Sequence, residues 1–374
     1  MKSKNCWARK GFTPAPILMH PEKNKQLVRG YTTGTCAQAA AKAAGLMLFK
    51  NRLLNKVGVE TPSGVKLNLK LTDQGIGHNF AQCAVIKDSG SDPDVTNGVK
   101  VYAEVRTFHK QGIIVRGGEG VGRVTLPGLA VGKGEWAINP TPRKMILREI
   151  EKLLPQGKGA IVTISVPAGR ELAKLTYNPR LGIKGGISII GTTGIVEAKS
   201  LAAYKASLAL ELNVLLAQGI KRPVFVLGYV GENYCKKVLK LKEDSFIKIG
   251  DHIGFMLKEC AKRKIKELLL IGHIGKLVKL ANGQFNTNYK FGDNRLNTIA
   301  RYAKMCHANA SVIKDILKQE TAEATIEILK KANGMQVYKR IAQDVVRKAV
   351  EFTGNKFKLR CIILSLKGEV LAKV

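Results

Sequence analysis

The stretch Leu268-Leu-Leu-Ile-Gly-His-Ile-Gly-Lys-Leu-Val-Lys279 contains the pattern that decides the fold of the second half of the chain. A short apolar run ends in glycine, and residues with helical spacing follow it. Residues 187–190 and 224–227 begin two further segments of the same kind. Short buried strands that alternate with helices are typical of a parallel sheet, because parallel strands need crossover connections. The sequence therefore predicts a parallel α/β layer beyond about residue 185.

Helical periodicity covers much of the remaining chain in this half. We expect helices at residues 200–217, 251–264, 293–307, 321–332 and 336–352, and a last strand at residues 359–364. Residues 191–374 are predicted to form one domain.

The first half has a different rhythm, in which strands outnumber helices. Small residues recur at helical spacing and predict a helix over residues 35–49, and Asn139-Pro-Thr-Pro142 predicts the start of a second helix. Short β-type runs occupy residues 57–60, 65–71, 81–87, 99–108, 113–115 and 160–166. We place this domain at residues 27–190. Residues 1–26 have no sustained periodicity and are predicted to be a basic, poorly ordered extension.

The charge balance indicates an anionic partner. The chain has 374 residues, of which 45% are hydrophobic, so it can bury a large core. It carries 62 Lys and Arg against 28 Asp and Glu, a net charge of +34. Nucleic acid, an acidic membrane surface and a polycarboxylate small molecule would all be attracted to this charge, and a compositional bias of the host would also explain it.

The cysteines and the apolar runs indicate the cellular compartment of the protein. Seven cysteines are scattered without a C-x-x-C pair, which is typical of reduced thiols in a cytosolic protein. No apolar run approaches the roughly 20 residues of a membrane span, and no signal-peptide core is recognised. We expect a cytoplasmic protein without a membrane partner.

The loop Gly30-Tyr-Thr-Thr-Gly-Thr-Cys-Ala37 is a candidate anion site. Two glycines and the hydroxyls of Thr32, Thr33 and Thr35 stand at the start of the predicted helix, where backbone N–H groups and the helix dipole favour an anion. The alternative is that one threonine simply caps the helix. A comparable loop holds nucleotide phosphate in small-molecule kinases.

Two further segments in the first half are rich in turn residues. Lys87-Asp-Ser-Gly-Ser-Asp-Pro-Asp-Val-Thr96 gathers three carboxylates, but it lacks the remaining ligands of a calcium loop. Turn formation explains most of it, with Asp88 a candidate at the edge of a substrate site. Gly117-Gly-Glu-Gly-Val-Gly-Arg123 is expected to be a tight strand connection, because no long helix follows it. No metal site is predicted.

Glycine turns follow the apolar runs near the predicted domain boundary. Gly191, Thr192, Thr193 and Gly194 end one such run, at a place where backbone can approach a ligand, although they could also form a structural turn. The segment Leu227-Gly228-Tyr-Val-Gly231 has the same character.

His273 is predicted to lie at the carboxyl end of a strand, with Lys276 and Lys279 about one turn apart beyond it. This arrangement suits a proton acceptor beside an anionic ligand. A lone histidine is also common as a hydrogen-bonded structural residue. The chain has no Walker A sequence, no G-x-S-x-G, no H-E-x-x-H, no zinc-type Cys/His spacing and no aromatic stacking stripe, so nucleic acid is not an expected partner.

Several of these strings together resemble one family. They are Arg29-Gly-Tyr-Thr-Thr-Gly-Thr-Cys-Ala, Lys87-Asp-Ser-Gly-Ser-Asp-Pro-Asp-Val-Thr, Gly120-Val-Gly-Arg-Val-Thr, Asn178-Pro-Arg-Leu-Gly-Ile, Gly191-Thr-Thr-Gly-Ile-Val and Gly272-His-Ile-Gly-Lys-Leu-Val-Lys. In this order, from about residue 27 to 300, they look like the CbiD family, the cobalt-precorrin-5B C(1)-methyltransferases. Asn288 stands where the family often has His.

The resemblance implies methylation of ring carbon C-1 of cobalt-precorrin-5B to give cobalt-precorrin-6A in anaerobic cobalamin biosynthesis. S-adenosyl-L-methionine would be the methyl donor, and cobalt would enter only as part of the polycarboxylate tetrapyrrole substrate. It also implies an α+β N-terminal domain similar to ribosomal S5 domain 2 and a C-terminal α/β Rossmann-like domain.

On this basis the candidate residues divide into three groups. We predict that His273 is catalytic, and that the substrate is bound by Thr32, Thr33, Thr35, Asp88, Arg180, Lys276 and Lys279. Gly191, Thr192, Thr193, Gly194, Gly228 and Gly231 are predicted to approach the cofactor. A GHMP-like small-molecule kinase and a basic polyanion- or nucleic-acid-binding protein are the alternatives. The oligomeric state is open, and a dimer is compatible with the sequence.

Overall fold

The structure is a computed structural model, and it describes residues 27–198 and 200–374. The predicted extension at residues 1–26 lies outside these ranges. Two large hydrophobic cores divide the described chain. We call residues 27–198 the N-terminal unit and residues 200–374 the C-terminal unit.

The N-terminal unit contains short strands and three helices. The strands are β1 (Gly30–Tyr31), β2 (Lys56–Glu60), β3 (Lys66–Lys70), β4 (Thr72–Ile76), β5 (Phe80–Ile86), β6 (Lys100–Phe108), β7 (Gly112–Gly117), β8 (Arg123–Val124), β9 (Gly159–Ser165), β10 (Ile183–Lys184) and β11 (Ile195–Val196). The helices are α1 (Thr33–Lys50), α2 (Pro140–Glu151) and α3 (Gly169–Ala173).

A five-stranded sheet forms the centre of this unit, in the order β4-β5-β6-β9-β7. Its neighbours are antiparallel except for the parallel pair β7 and β9. Helix α1 lies on one face, and its alanines at positions 37, 40, 41 and 44 are fully buried. Because these side chains are small, the helix can lie close to the sheet.

The C-terminal unit alternates strands with helices. Its strands are β12 (Val224–Leu227), β13 (Ile247–Lys248), β14 (Glu267–His273), β15 (Lys358–Leu364) and β16 (Val370–Lys373). Its helices are α4 (Leu201–Ala217), α5 (Gly228–Lys237), α6 (Ile253–Lys262), α7 (Ile274–Ala281), α8 (Arg295–Met305), α9 (Ala310–Leu317), α10 (Thr325–Lys331) and α11 (Gln336–Phe352). Two 3₁₀ turns cover Glu243–Ser245 and Tyr289–Phe291.

The strand order in this unit is β13-β12-β14-β15-β16. The first four strands are parallel and β16 is antiparallel to β15. The carboxyl ends of the four parallel strands therefore lie at one edge, which we call the carboxyl edge.

Most predicted elements are confirmed, and the strand at residues 224–227 and the helix at residues 336–352 have the predicted bounds. The prediction for residues 187–190 was wrong. Ile187 and Ile189 form isolated bridges with Val121 and Ile138 and belong to the core of the N-terminal unit. The apolar run is buried as predicted, but in a different layer, because its neighbours come from residues 121–138.

The two units meet at a small hydrophobic cluster. Val124, Ala137, Leu181 and Ile183 pack there against Val214 of α4. Strand β11 pairs with β1, so residues 191–196 contact the N-terminal unit, although we expected them to open the second domain.

Candidate functional site

Three of the motif segments meet at the start of α1. Strand β1 pairs with β11, which brings residues 30–31 beside residues 195–196. The Tyr31 N–H donates to the carbonyl of Asp88 at 2.8 Å, and the Ser91 N–H donates to the carbonyl of Val28 at 2.9 Å. The threonine loop, the aspartate segment and the glycine turn at residues 191–194 thus form one hydrogen-bonded assembly.

The threonine hydroxyls form hydrogen bonds within this assembly. Thr35 Oγ1 donates to the carbonyl of Gly194 at 2.7 Å, and Thr33 Oγ1 accepts from the Ile190 N–H at 3.0 Å. Thr32 Oγ1 accepts from the Thr35 N–H at 3.2 Å as the helix N-cap. Thr33 and Thr35 are buried. These hydroxyls join α1 to the turn at 190–194, and their contact with substrate carboxylates stays a prediction.

The aspartate segment is a turn built around a buried lysine. Lys87 is 2% exposed, and its ammonium pairs with Asp94 at 2.8 Å and contacts the hydroxyl of Ser89. Burial would raise the pKa of the Asp94 carboxyl, but hydrogen bonds from Lys87 and Thr96 outweigh it and lower that pKa. Asp88 is exposed and accepts from the Gly90 N–H at 2.7 Å. The segment therefore supports β1, and Asp88 is among its surface residues.

The glycine turn after residue 190 is a close-packed connection. A Cβ at Gly191 would lie 2.2 Å from Thr32 Oγ1, and one at Gly194 would lie 2.7 Å from Thr61 Cβ. Both glycines have positive φ, at 135° and 82°. Thr192 and Thr193 are exposed at its tip. Packing within the N-terminal unit requires the two glycines, and the approach of residues 191–194 to a cofactor stays a prediction.

The second group of functional side chains lies along the carboxyl edge. Asp251 follows β13, Gly228 follows β12 and His273 ends β14. In open α/β sheets ligands bind outside the carboxyl ends of the strands. This edge is therefore the candidate site.

His273 is held by two hydrogen bonds. Its Nδ1 accepts from the Gly275 N–H at 3.1 Å, which places the ring proton on Nε2. Nε2 then donates to Glu323 Oε2 at 2.9 Å, and Glu323 also accepts from the Leu366 N–H. Both ring nitrogens thus have protein partners, and the catalytic role of His273 stays a prediction.

Asp251 is the central residue of the edge, and the sequence analysis did not single it out. It accepts from Thr287 Oγ1 at 2.7 Å, from Lys276 Nζ at 3.1 Å and from Asn288 Nδ2 at 3.3 Å. Burial would raise the pKa of its carboxyl, but these three donors outweigh the burial, so its pKa is lowered. Its strand, β13, has only two residues, so no periodicity marked the position.

The two predicted lysines have different environments. Lys276 is partly exposed, with 36% of its side chain accessible, and can reach a ligand at the edge. Lys279 is 7% exposed and donates to the carbonyls of Thr287 and Gly292 at 3.1 and 3.3 Å. Lys279 therefore holds the backbone at residues 287 and 292, and its contact with substrate stays a prediction.

Arg180 lies at the contact between the two units. Its guanidinium pairs with Glu211 at 3.4 Å and with Glu243 at 3.6 Å, and its side chain is 17% exposed. One guanidinium nitrogen, Nη2, has no hydrogen-bond partner in the described residues, and the contact of Arg180 with substrate carboxylates stays a prediction.

The glycines of α5 also differ from each other. Gly228 has φ of 77°, is exposed, and no heavy atom lies within 4 Å of a Cβ built on it. A ligand can therefore approach its backbone. A Cβ at Gly231 would lie 3.0 Å from the carbonyl oxygen of Ile271, so Gly231 lets α5 pack against β14.

Two further observations concern the described residues only. In residues 27–198 and 200–374 no group of three or more His, Cys, Asp or Glu side chains is placed to hold a metal ion. Over the same ranges, no helix combines the length and apolar character needed to cross a bilayer.

Comparison with known proteins shows extended similarity to one family. The CbiD family model matches residues 20–198, and the model of the CbiD C-terminal domain matches residues 286–374. A cobalt-precorrin-5B C(1)-methyltransferase of Thermoanaerobacter sp. (strain X514) is 44% identical over 354 residues, 94% of this chain and 96% of that protein.

Proteins of the same name from other organisms are similar over comparable lengths. The protein of Alkaliphilus metalliredigens is 41% identical, covering 93% of this chain and 92% of its own. That of Methanocaldococcus jannaschii is 44% identical, covering 91% and 95%. A crystal structure of the cobalamin biosynthesis protein cbiD from Archaeoglobus fulgidus is 32% identical, covers 75% of this chain and 85% of its own, and superposes with a TM-score of 0.37. By sequence similarity over almost its whole length, this chain belongs to the CbiD family.

Proposed function

We propose that this protein is a cobalt-precorrin-5B C(1)-methyltransferase that gives cobalt-precorrin-6A in anaerobic cobalamin biosynthesis. The observation that carries the proposal is the 44% identity over 94% of the chain to a relative of that name and nearly the same extent. The sequence motifs that resemble the family lie in both units, so the likeness is not confined to one of them.

The methyl donor in this proposal is S-adenosyl-L-methionine, which supplies an electrophilic methyl group when bound. The carboxyl edge fits such a ligand at Gly228, the first residue of α5. No heavy atom lies within 4 Å of a Cβ built on Gly228, so a ligand can approach its backbone. The packing of Gly231 against β14 fixes the direction of α5, and Tyr229 beside Gly228 is 66% exposed. We therefore retain Gly228 as a contact to the donor and Gly231 as a positioning residue.

The substrate would meet the same edge from the side of Asp251. Lys276 is the residue of the predicted substrate group that remains accessible there, and the net charge of +34 favours encounter with a polycarboxylate. Exposed ion pairs contribute only about 0–1 kcal/mol each. Charge should therefore affect the rate of encounter more than the final affinity.

The chain's own part in methyl transfer is positioning and exclusion of water. Methyl transfer would break the bond between the donor's sulfur and its methyl carbon and form one from that carbon to ring carbon C-1, with the ring supplying the electron pair and releasing one proton to water. The network of Asp251, Lys276 and Thr287 holds the edge in one geometry. His273 fixes the start of α7 through its hydrogen bond from the Gly275 N–H.

The fold assignment and the location belong to the same proposal. The mixed sheet with α1 on its face supports an α+β domain similar to ribosomal S5 domain 2, and the four parallel strands support a Rossmann-like domain. The six cysteines of the described ranges are free thiols, which supports a cytoplasmic location.

An anaerobic incubation tests the function directly. Purified protein is mixed with cobalt-precorrin-5B and S-adenosyl-L-methionine labelled with ¹³C in the methyl group, and the product is analysed by mass spectrometry. We expect the ring to gain one labelled CH₂ unit. An unchanged ring mass would overturn the proposal. Stabilisation by ATP but not by S-adenosyl-L-methionine in a thermal-shift measurement would favour the kinase, and salt-dependent binding of duplex DNA would favour the polyanion-binding protein.

A further inference from the structure

Residues 284–292, which we call the aromatic loop, expose two large rings. Tyr289 is 71% exposed and Phe291 is 64% exposed, and both lie in the 3₁₀ turn Tyr289–Phe291. Exposure of an isolated apolar side chain is ordinary, but two rings on one short turn form a patch that calls for a partner.

The backbone of the aromatic loop is held from the protein side. The buried ammonium of Lys279 donates to the carbonyls of Thr287 and Gly292, one before the turn and one after it. Gln284 Nε2 donates to the carbonyl of Asn286 at 2.9 Å. A buried lysine that binds two carbonyls of one loop fixes the distance between them.

The same loop is also attached to Asp251. Thr287 Oγ1 and Asn288 Nδ2 donate to its carboxylate, and Asn288 Oδ1 accepts from the Lys290 N–H at 3.1 Å. The backbone beneath the two rings is therefore ordered before any ligand arrives. Binding to a surface that is already ordered loses less conformational entropy.

These contacts place the aromatic loop at the carboxyl edge. Asp251 lies three residues beyond the end of β13. On the far side of the loop, a guanidinium nitrogen of Arg295 lies 3.6 Å from the Cβ position of Gly275, which follows β14. The rings therefore border the edge at which we place the methyl donor.

Charge indicates what kind of ligand the rings would meet. Lys290 stands between them, is exposed, and forms no ion pair within the described parts of the chain. Three consecutive exposed residues of the loop thus carry two aromatic rings and one cation. Such a surface matches a ligand with an extended apolar plane and anionic groups at its rim.

We propose that Tyr289 and Phe291 bind a face of the tetrapyrrole macrocycle, that Lys290 pairs with one of its peripheral carboxylates, and that Lys279 positions the loop for this contact. The inference rests on the proposed function. It makes the aromatic loop a determinant of substrate affinity and leaves the methyl donor to Gly228.

The experiment measures the dissociation constant of cobalt-precorrin-5B under anaerobic conditions, with that of S-adenosyl-L-methionine measured in parallel. We expect Tyr289→Ala and Phe291→Ala each to weaken binding of the ring about tenfold, in keeping with typical ring–ring contact energies. Tyr289→Phe and Phe291→Tyr keep the rings and should restore binding. All four variants should bind the methyl donor like the wild type.

Leu53→Ala is the matched control, because Leu53 is 57% exposed and follows α1 in the other unit. It should change neither dissociation constant. Wild-type methylation together with unchanged ring affinity in both alanine variants would overturn this inference and leave the proposed function intact. A shift of oligomeric state in the alanine variants at unchanged ring affinity would overturn it in favour of contact with a second copy. Absence of methylation by the wild type would overturn both.

Discussion

Asp251 shows how a single carboxylate organises the candidate site. Its two oxygens accept from three side chains, of which Lys276 is on α7 and Thr287 and Asn288 are on the aromatic loop. Removing its charge leaves these donors with a weaker acceptor. A buried donor without its acceptor costs more free energy than a hydrogen bond contributes.

Asp251→Asn should lower the free energy of unfolding at neutral pH by on the order of 1 kcal/mol. The pKa of this carboxyl is lower in the folded protein than its usual 3.8, so its stabilising effect is present above pH 3.8 and is lost as the pH falls through the folded value. The deficit of the variant should therefore shrink in acid. Urea unfolding at pH 7 and pH 3.5 measures this, with Asp315→Asn, in an exposed pair with Lys318, as control. A deficit that does not depend on pH would contradict the prediction.

His273 gives a second test at the level of one residue. Its Nδ1 caps α7, and asparagine is also a good N-cap. We expect His273→Asn to keep methyl transfer and His273→Ala to be less stable than His273→Asn by about 1 kcal/mol. Turnover and thermal unfolding are measured on the same samples. If both variants fold but transfer no methyl group, a catalytic role for His273 is supported.

At the level of elements, the start of α1 depends on backbone that approaches closely. The carbonyl of Gly194 accepts from both the Thr32 N–H and Thr35 Oγ1, at 3.1 and 2.7 Å. The turn can reach this position because glycine has no Cβ to meet Thr61. A side chain there would push β11 away from β1.

Gly194→Ala should therefore destabilise the protein by at least about 2 kcal/mol, because strain at positive φ adds to a steric clash. Gly64→Ala is the matched control. Gly64 has nearly the same φ, 80° against 82°, but nothing lies within 4 Å of its Cβ position, so about 1 kcal/mol is expected. Chemical unfolding of both variants gives the comparison, and equal losses would show that packing at Gly194 is unimportant.

The elements also show how far pattern predicts structure. Helix α11 repeats apolar residues along its 17 residues, so periodicity alone predicts it. The side chain of Ser200 caps α4 at the predicted start of that helix. Pattern did not locate strand β13, and it placed residues 187–190 in the wrong layer, for different reasons. The first is too short to show a period, and the second is an apolar run whose layer is decided by distant neighbours.

For the whole molecule, the contact between the two units is the feature of greatest consequence. Arg180 from the N-terminal unit lies beside Glu211 of α4 and Glu243. Burial is the dominant influence on Glu211 and raises the pKa of its carboxyl despite the attraction of Arg180. One oxygen of Glu211 has no hydrogen-bond partner in the described structure. The charged form of Glu211 is therefore less favourable in the folded protein than in the unfolded chain.

Glu211→Gln should increase the free energy of unfolding at pH 7, because glutamine mimics the protonated acid. A raised pKa means that the contribution of this group is fully present below its usual 4.5 and is lost as the pH rises through the folded value. The advantage of the variant should therefore vanish below about pH 4.5. Glu243→Gln, at a more exposed carboxylate on the same arginine, is the control and should not stabilise. A destabilised Glu211→Gln protein at pH 7 would contradict the prediction.

The sequence by itself determined most of the segments that become helices and strands, the excess of positive charge and, through its motif strings, the family. These properties are local or additive, since periodicity, turn chemistry and charge are set by residues near one another in the chain. Only the tertiary structure decided what the polar side chains do. Thr35, Lys279, Arg180 and His273 were candidates for ligand contact because such groups bind anions and move protons. Folding brought carbonyls and carboxylates from other segments to them, and no local pattern of sequence predicts these partners.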